Sequence, residues 1–532
     1  MTVVHQSSPG SESASEHRAQ EGDIVAVAAG GAINATAGMI NAGLSFLFTV
    51  LVARELGAGE AGALFEAIAV FSVLELTSEL GAVTAIVRSV SRHKALHHVR
   101  GLRLTILIAS APSALLACAA GATLLIFAHQ FSTLLVRHGD RSAVSEYLRI
   151  FALVLPLSAV GDILLGATRG FGTMLPSAAI DLIIKPAVRV SLLFAIVQVS
   201  HSPVIVAVGW AAPIVLSLAL AAGSLHLLLR NSGEGGSTRP EVEDANVRAL
   251  ASDFWRFALP QSLSGVLQVA VVWVDVVLLG ALKSTHDAGT YATLSRYLLV
   301  GTLGLSAIAL AIAPLMSSLL AEGELSRAGS VYRVVTAWIV ASAFPIYFVM
   351  AVFSPVLMRL FGGSFSGGAG PLTILSIAML ANIATGPVVM ILLMGGRSGL
   401  LLVDSGVAFL VNVVLNVMLI PPYGMTGAAI AWSSGILAMN ALALLQVRRA
   451  WQIHPYGRGL LVIATGASLL YGVLGLVISR VIGMDIAGLI ATCLIGSAVY
   501  GTALWSARGE LQFAVLWGAI RTRRVTAGFE SR

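Results

Sequence analysis

Cysteine is almost missing from this chain: Cys118 and Cys493 are the two in 532 residues, and both fall inside apolar runs. That excludes a disulfide framework and a thiolate metal site. Lysine is nearly as scarce, with Lys94, Lys185 and Lys283 set against 29 arginines. Only 11% of residues are charged, and the formal net charge is +6. So small a charge on so long a chain argues against nucleic-acid binding and suits loops beside anionic lipid headgroups. There is no glycine-rich loop ending in Lys-Ser or Lys-Thr, no His-Glu-x-x-His and no Cys-x-x-Cys, which removes the usual signatures of nucleotide hydrolysis, zinc hydrolysis and dithiol redox chemistry. An enzyme is therefore not expected. What fills the chain instead is hydrocarbon, at 57% apolar residues.

The apolar residues fall into about fourteen runs, each long enough to cross a bilayer as a helix. They span 24–52, 63–87, 104–128, 143–167, 176–199, 203–229, 257–281, 291–316, 331–357, 370–394, 400–420, 424–446, 459–480 and 485–506. Only structures that satisfy their own backbone hydrogen bonds survive in lipid, so the expected fold is an all-α polytopic membrane bundle. With the N-terminus inside, the inner connections hold 22 Lys or Arg and the outer ones six. This bias places the chain in the cytoplasmic membrane with both termini cytoplasmic.

Organisation follows from the hydrophilic interruptions. Residues 1–23, rich in Ser and Glu, read as a disordered cytosolic tail. Residues 24–229 form an N-lobe of six helices, 230–256 a cytoplasmic linker, 257–446 a C-lobe of six more, 447–506 two extra helices, and 507–532 a basic amphipathic cytosolic tail. The lobes echo one another. ELGAGEAGALFEA after the first run recurs loosely as LKSTHDAGTYATLSR, placing Gly62 opposite Gly289, 227 positions on. The turn GATRGFG with Arg169 recurs as MGGRSGL with Arg397, 228 positions on. An even number of helices per repeat implies two parallel lobes about an axis along the membrane normal, with a cavity between them.

FLFTVLVARELGAGEAGALFEA and the later NVVLNVMLIPPYGMTGAAIAW, from Asn412 to Trp432, carry a resemblance to the bacterial polysaccharide flippases. That family belongs, with the multidrug and toxin extrusion antiporters, to the multidrug/oligosaccharidyl-lipid/polysaccharide exporter superfamily. The two extra C-terminal helices are similar to those of lipid-carrier flippases, while the arginine-rich signature of the lipid II branch is missing from the first three helices. The resemblance implies a transporter that flips a polyprenyl-diphosphate-linked oligosaccharide to the outer leaflet for cell-surface polysaccharide synthesis. It would be partnered by the bilayer and by a polymerase or glycosyltransferases. The alternatives are a cation-coupled drug antiporter and a membrane-embedded polysaccharide polymerase or ligase; the latter usually needs a longer outer loop than AHQFSTLLVRHGDRSA.

Ionisable residues inside a membrane are costly and are candidate functional groups. The fifth run carries Asp181, Lys185 and Arg189 four apart on one face. Lys185 and Arg189 could hold the diphosphate, or Lys185 could simply pair with Asp181. Glu75 and Glu79, again four apart, could bind a coupling H+ or Na+, neutralise the two cations, or line a polar cavity. No other cofactor is called for. Polar stripes offer Asn34 and Asn41 in the first helix, Gln261 and Gln268 in the seventh, and Asn412 and Asn416 in the eleventh as sugar-binding groups, with Asp275 a further ion-coupling candidate. Each stripe could equally be interhelical packing. Pro112, Pro156, Pro186, Pro213, Pro345 and Pro387 are expected to kink their helices.

Overall fold

A computed structural model describes residues 9–95, 101–200, 202–231 and 247–506. Among these the chain is helical, with no strand. The first half holds α1 (Pro9–Glu79), α2 (Ala82–Ala95), α3 (Leu102–Ile126), α4 (Ala128–Leu135), α5 (Arg141–Gly170), α6 (Leu175–Ser177), a π-helical stretch (Ala178–Ile184), α7 (Lys185–Val197) and α8 (Pro203–Asn231). The second half holds α9 (Val247–Leu282), α10 (Thr285–Ala321), α11 (Leu325–Val352), α12 (Ser354–Arg359), α13 (Ala369–Ala384), α14 (Val388–Met394), α15 (Ser398–Tyr423) and α16 (Met425–Trp451). The chain then continues through α17 (Arg458–Ala467), a second π stretch (Ser468–Val473), α18 (Leu474–Val481) and α19 (Ile486–Ser506).

Among the described residues, ten helical stretches are long and apolar enough to cross a membrane by length and composition. One of them, Thr36–His93, contains two crossings, because α1 breaks at Gly57 (φ 73°, ψ 173°). The other three expected crossings correspond to the helical segments at 175–197, 285–321 and 486–506. Gly57 sits in a backbone region that costs a residue with a Cβ dearly, so this glycine makes the reversal between the arms of α1.

The expected boundaries shift in places. The helix expected over 63–87 ends at Glu79, where Leu80 (φ 53°) and Gly81 (φ 74°) break it before α2. Gly81 turns there because the backbone of Ala258 and Ser262 in α9 leaves no room for a Cβ. The tail expected over 1–23 is helical from Pro9 onward, and α8 and α9 extend into the expected linker from both sides. Residues 1–8, 232–246 and the tail 507–532 lie outside the described residues. Of the six prolines, Pro112, Pro156, Pro213 and Pro345 stand inside continuous helices. Pro387 caps α14 after the Thr385–Gly386 break, and Pro186 enters α7 where the π stretch ends. A proline ring collides with the carbonyl four residues back, and a π turn just before it relieves that clash.

We call the end bearing Gly57 and the 136–140 loop distal, and the end bearing Arg169 and Arg397 proximal. At the distal end the two halves touch directly. Gly62 of α1 lies against the backbone of Thr285 and Gly289 in α10, so the two glycines placed opposite each other by the repeat are in physical contact. The flanking loops cross the seam in both directions. The Arg54 guanidinium donates to the Leu360 carbonyl at 2.8 Å. The Arg137 amide donates to the Gly280 carbonyl at 3.0 Å, and the Thr285 amide to the His138 carbonyl at 3.1 Å. At the proximal end α2 packs on α9 through an exposed Arg92–Asp253 pair (3.1 Å) and through Arg88 stacked 4.3 Å from the Phe257 ring. The last helices, α17 to α19, lean on α11.

Candidate functional site

Between these two contacts lies a cavity of about 240 Å³. Both halves build it. Ser45 and Thr49 come from the first arm of α1, Phe71, Ser72 and Glu75 from its second arm, and Ser158 from α5. Lys185 and Arg189 come from α7, Trp210 from α8, Trp273 from α9 and Arg296 from α10. A second chamber, about 320 Å³, sits wholly in the first half and is lined by Glu75, Glu79, Asp162, Arg169, Asp181 and Lys185. Glu75 and Lys185 border both spaces, so the two meet at that pair.

The cations are held differently. Lys185 donates to Asp181 at 2.7 Å, the i,i+4 pair anticipated as the structural alternative. Arg189 donates through Nε to the Trp210 carbonyl at 3.2 Å and lies 4.3 Å from the centre of the Trp210 ring. That indole is fixed by Phe71 (5.2 Å, edge to face) and Phe151 (4.3 Å), so the guanidinium rests on a rigid platform. Arg296 repeats the arrangement from the other half, 5.1 Å from the Trp273 ring. Among the described residues no carboxylate lies within ion-pair distance of Arg296. Arginine presents five donors in a planar fork, and one without a carboxylate partner in a cavity wall is a receptor for phosphate or carboxylate.

On the acidic side, Glu75 accepts a hydrogen bond from the Ser158 hydroxyl. Glu79 is buried at the far end of the second chamber, beside Asp162. Of the alternatives left open for the two glutamates, a direct ion pair with Lys185 is not formed among the described residues: Asp181 holds Lys185, and both glutamates line the chamber beside it.

The polar stripes separate from the cavity. Asn412 and Asn416 do not line it; they are buried at 1% and 0% exposure and donate to one carboxylate oxygen of Asp275 at 3.0 and 2.6 Å. Tyr291 donates to the other oxygen at 2.9 Å. α9, α10 and α15 are thus pinned at one carboxylate, because a buried charge is tolerated where strong donors surround it. The side-chain carbonyls of Asn412 and Asn416 have no donor. Turning both amides over would present them with Asp275 as an oxygen-rich pocket for a hard cation. Asn34 is exposed on α1, and Asn41 is half-buried one turn before the lining residue Ser45, on the same face of α1 but outside the cavity lining. Gln261 and Gln268 belong to α9, but their side chains lie outside the described residues.

Arg296, Asp162, Trp210 and Trp273 escaped the sequence reading. The first two carry the signal already used for Lys185, an ionisable group inside an apolar run. The tryptophans carried none, since an indole in a membrane helix is ordinary.

Comparison with known proteins adds the lineage. The family described as "Polysaccharide biosynthesis protein" matches residues 27–320. A probable low-salt glycan biosynthesis flippase of Haloferax volcanii, Agl15, is 24% identical over 399 residues, covering 74% of this chain and 78% of that protein. A probable flippase of the same organism, AglR, is 27% identical over 219 residues, covering 39% and 44%. Among solved structures, the lipid II flippase MurJ in an inward closed conformation superposes with a TM-score of 0.68 at 15% identity, over 90% of this chain and 99% of that one. An inward-facing multidrug resistance transporter of the MATE family superposes at 0.62 and 15%, over 79% and 98%. The chain therefore shares the fold of these two transporters. With more than half its length matched by the family pattern, the chain belongs to the polysaccharide biosynthesis protein family.

Proposed function

We propose that this protein carries a lipid-linked glycan from the inner to the outer leaflet by alternating access. The observation that carries the reading is the cavity between the halves, walled by Lys185, Arg189 and Arg296 and closed at the distal end. The two relatives carry the names of probable flippases, and the charge bias supports the distal end as the outer one. A cavity of about 240 Å³ falls below the roughly 300–1,000 Å³ of sites that enclose drug-sized ligands. A headgroup of several sugars enters only when the lobes part.

In this reading Arg189 and Arg296 grip the diphosphate of a polyprenyl carrier from opposite lobes, and Lys185 exchanges Asp181 for phosphate as the lobes move. The flat faces of Trp210 and Trp273 orient the guanidinium planes. Two ion sites are candidates for coupling: the carboxylates Glu75, Glu79 and Asp162 for H+, and Asp275 with Asn412 and Asn416 for Na+. A cation carried inward down the membrane potential supplies about 2.3 kcal/mol per 100 mV. A polymerase or glycosyltransferase would supply or consume the glycan. The drug-antiporter reading has the shared fold in its favour, but a wall with three cations suits anions better than cationic drugs.

Lys185→Ala with Arg189→Ala, and Arg296→Ala alone, test the site. In cells lacking the wild-type protein, each variant is expected to reach the membrane folded yet leave lipid-linked glycan in the inner leaflet. Normal appearance of glycan outside, with these cations gone, would overturn the assignment.

A further inference from the structure

Glu66 lies one turn from the Gly62–Gly289 contact, on the face of α1 that meets α9 and α10. It is 0% exposed, and neither carboxyl oxygen has a hydrogen-bond partner. Its carboxyl group abuts Gly280 so closely that a Cβ there would collide with it. The carbonyl of that same Gly280 accepts the Arg137 amide, one of the loop contacts that shut the seam. The carboxyl group therefore sits directly beneath the distal latch. On α10, Thr290 and Thr293 are also buried, with hydroxyls that have no partner. Thr293 stands 227 positions after Glu66, the offset that relates Gly62 to Gly289.

No other carboxylate in the second arm of α1 is in this state: Glu75 has Ser158, and both it and Glu79 border an open chamber. The titratable and charged groups on the elements packed around this turn include Glu60 on α1, Asp140, Arg141, Glu146 and Tyr147 at the start of α5, Asp275 and Lys283 on α9 and its exit, His286, Asp287, Tyr291 and Arg296 on α10, and Arg137 and His138 in the loop. Asp275 and Tyr291 are committed to one another, Arg296 to the cavity, and His138 Nδ1 to the Lys283 carbonyl at 2.9 Å. None of them reaches Glu66 with a hydrogen bond. A carboxylate ion sealed in with no donor is strongly unfavourable, whereas the neutral acid fits.

We propose that Glu66 is a proton-binding site that controls the distal seam: the lobes close over the neutral acid and separate when it ionises. This rests on reading the seam as the outer gate of an alternating carrier. It predicts a sign: acid outside favours the closed seam, and alkali favours the open one, by at most about tenfold in the open-to-closed ratio per pH unit for one proton. The stretch of chain that opens would then take up a proton from the outer side before each closure.

The test measures the seam itself, without substrate, so that an error about the transported glycan leaves the result intact. Ser142 and Ser364 are exposed residues on the distal surfaces of the two halves. Both are replaced by Cys, with Cys118 and Cys493 changed to Ser, and the protein is spin-labelled in phosphatidylcholine vesicles. Distances between the labels are read by pulsed electron resonance at about pH 5.5 and about pH 8. The expected result is one short distance in acid and an added, longer population in alkali. Glu66→Gln is expected to stay short at both, and Glu66→Asp to keep the switch. A parent protein with no pH dependence, or a switch that survives Glu66→Gln and so belongs to His138 or another group, would overturn the proposal.

Discussion

Replacing Asp275 with alanine should strongly destabilise the C-terminal half, and the structure supplies the size of the effect. The carboxylate receives Tyr291 at 2.9 Å, Asn412 at 3.0 Å and Asn416 at 2.6 Å, and joins α9, α10 and α15 far from solvent. Removing it strands three buried donors. Each stranded donor costs about 1–3 kcal/mol, and even if two re-pair with the unpartnered carbonyls of their neighbours, about 3 kcal/mol is lost once the cavity left by the side chain is added. Whole proteins are stable by only about 5–15 kcal/mol. Asp275→Asn keeps an acceptor for two of the three donors and should lose about half as much. The comparison that matters is with Lys185→Ala. Lys185 and Asp181 are 18% and 37% exposed and form one i,i+4 pair, a class of interaction contributing less than about 1 kcal/mol. Thermal unfolding in detergent, followed by fluorescence-detected gel filtration, should therefore rank the variants Asp275→Ala far below Asp275→Asn, with Lys185→Ala close to wild type. An Asp275→Ala protein as stable as Lys185→Ala would refute the claim that this carboxylate pins three helices.

Other outcomes follow from single contacts. Gly62→Leu or Gly289→Leu drives a side chain into the backbone of the opposite half, so either should hold the distal seam open, seen as protease or probe access from outside. Loss of fold without such access would count against a movable seam. Arg92→Ala removes an ion pair whose partners are 61% and 65% exposed. It should shift stability by less than about 1 kcal/mol, and a larger loss in the same thermal assay would show that the α2–α9 contact depends on this pair. Trp273→Ala should weaken the hold on Arg296 by about 0.5–2 kcal/mol and lower the affinity for anionic headgroups. Unaltered binding of a polyprenyl phosphate, measured by tryptophan quenching in the remaining indoles, would argue that the guanidinium needs no such support.

Much of the architecture was legible because lipid imposes a length on each crossing and a cost on each charge. The run-by-run hydropathy placed a helix at every expected run, with ends that shift by up to a few turns, and glycine spacing paired Gly62 with Gly289, which the structure brings into contact. The same cost rule singled out Lys185, Arg189, Glu75 and Asp275. It was applied unevenly, for Arg296 and Asp162 satisfy it as well. The breaks at Leu80–Gly81 and the π stretch before Pro186 were not legible, since each is set by what packs against it: α9 in the first case, a relieved ring clash in the second.

Asn412 and Asn416 mark where reading from sequence stops. Four-residue spacing fixes that they share a face of α15, and their polarity fixes that the face avoids lipid. Whether that face meets water, a sugar or another helix depends on the rotation of α15 about its axis, which is decided by side chains from α9 and α16 that are distant in the chain. Sequence alone thus determined that this is a helical membrane bundle with buried charge. The tertiary packing decided what each charge meets: Asp181 with Lys185, Asp275 with two asparagines, and Arg296 with the Trp273 ring and, among the described residues, no carboxylate. Pairing between helices is a property of their mutual orientation and not of any one segment.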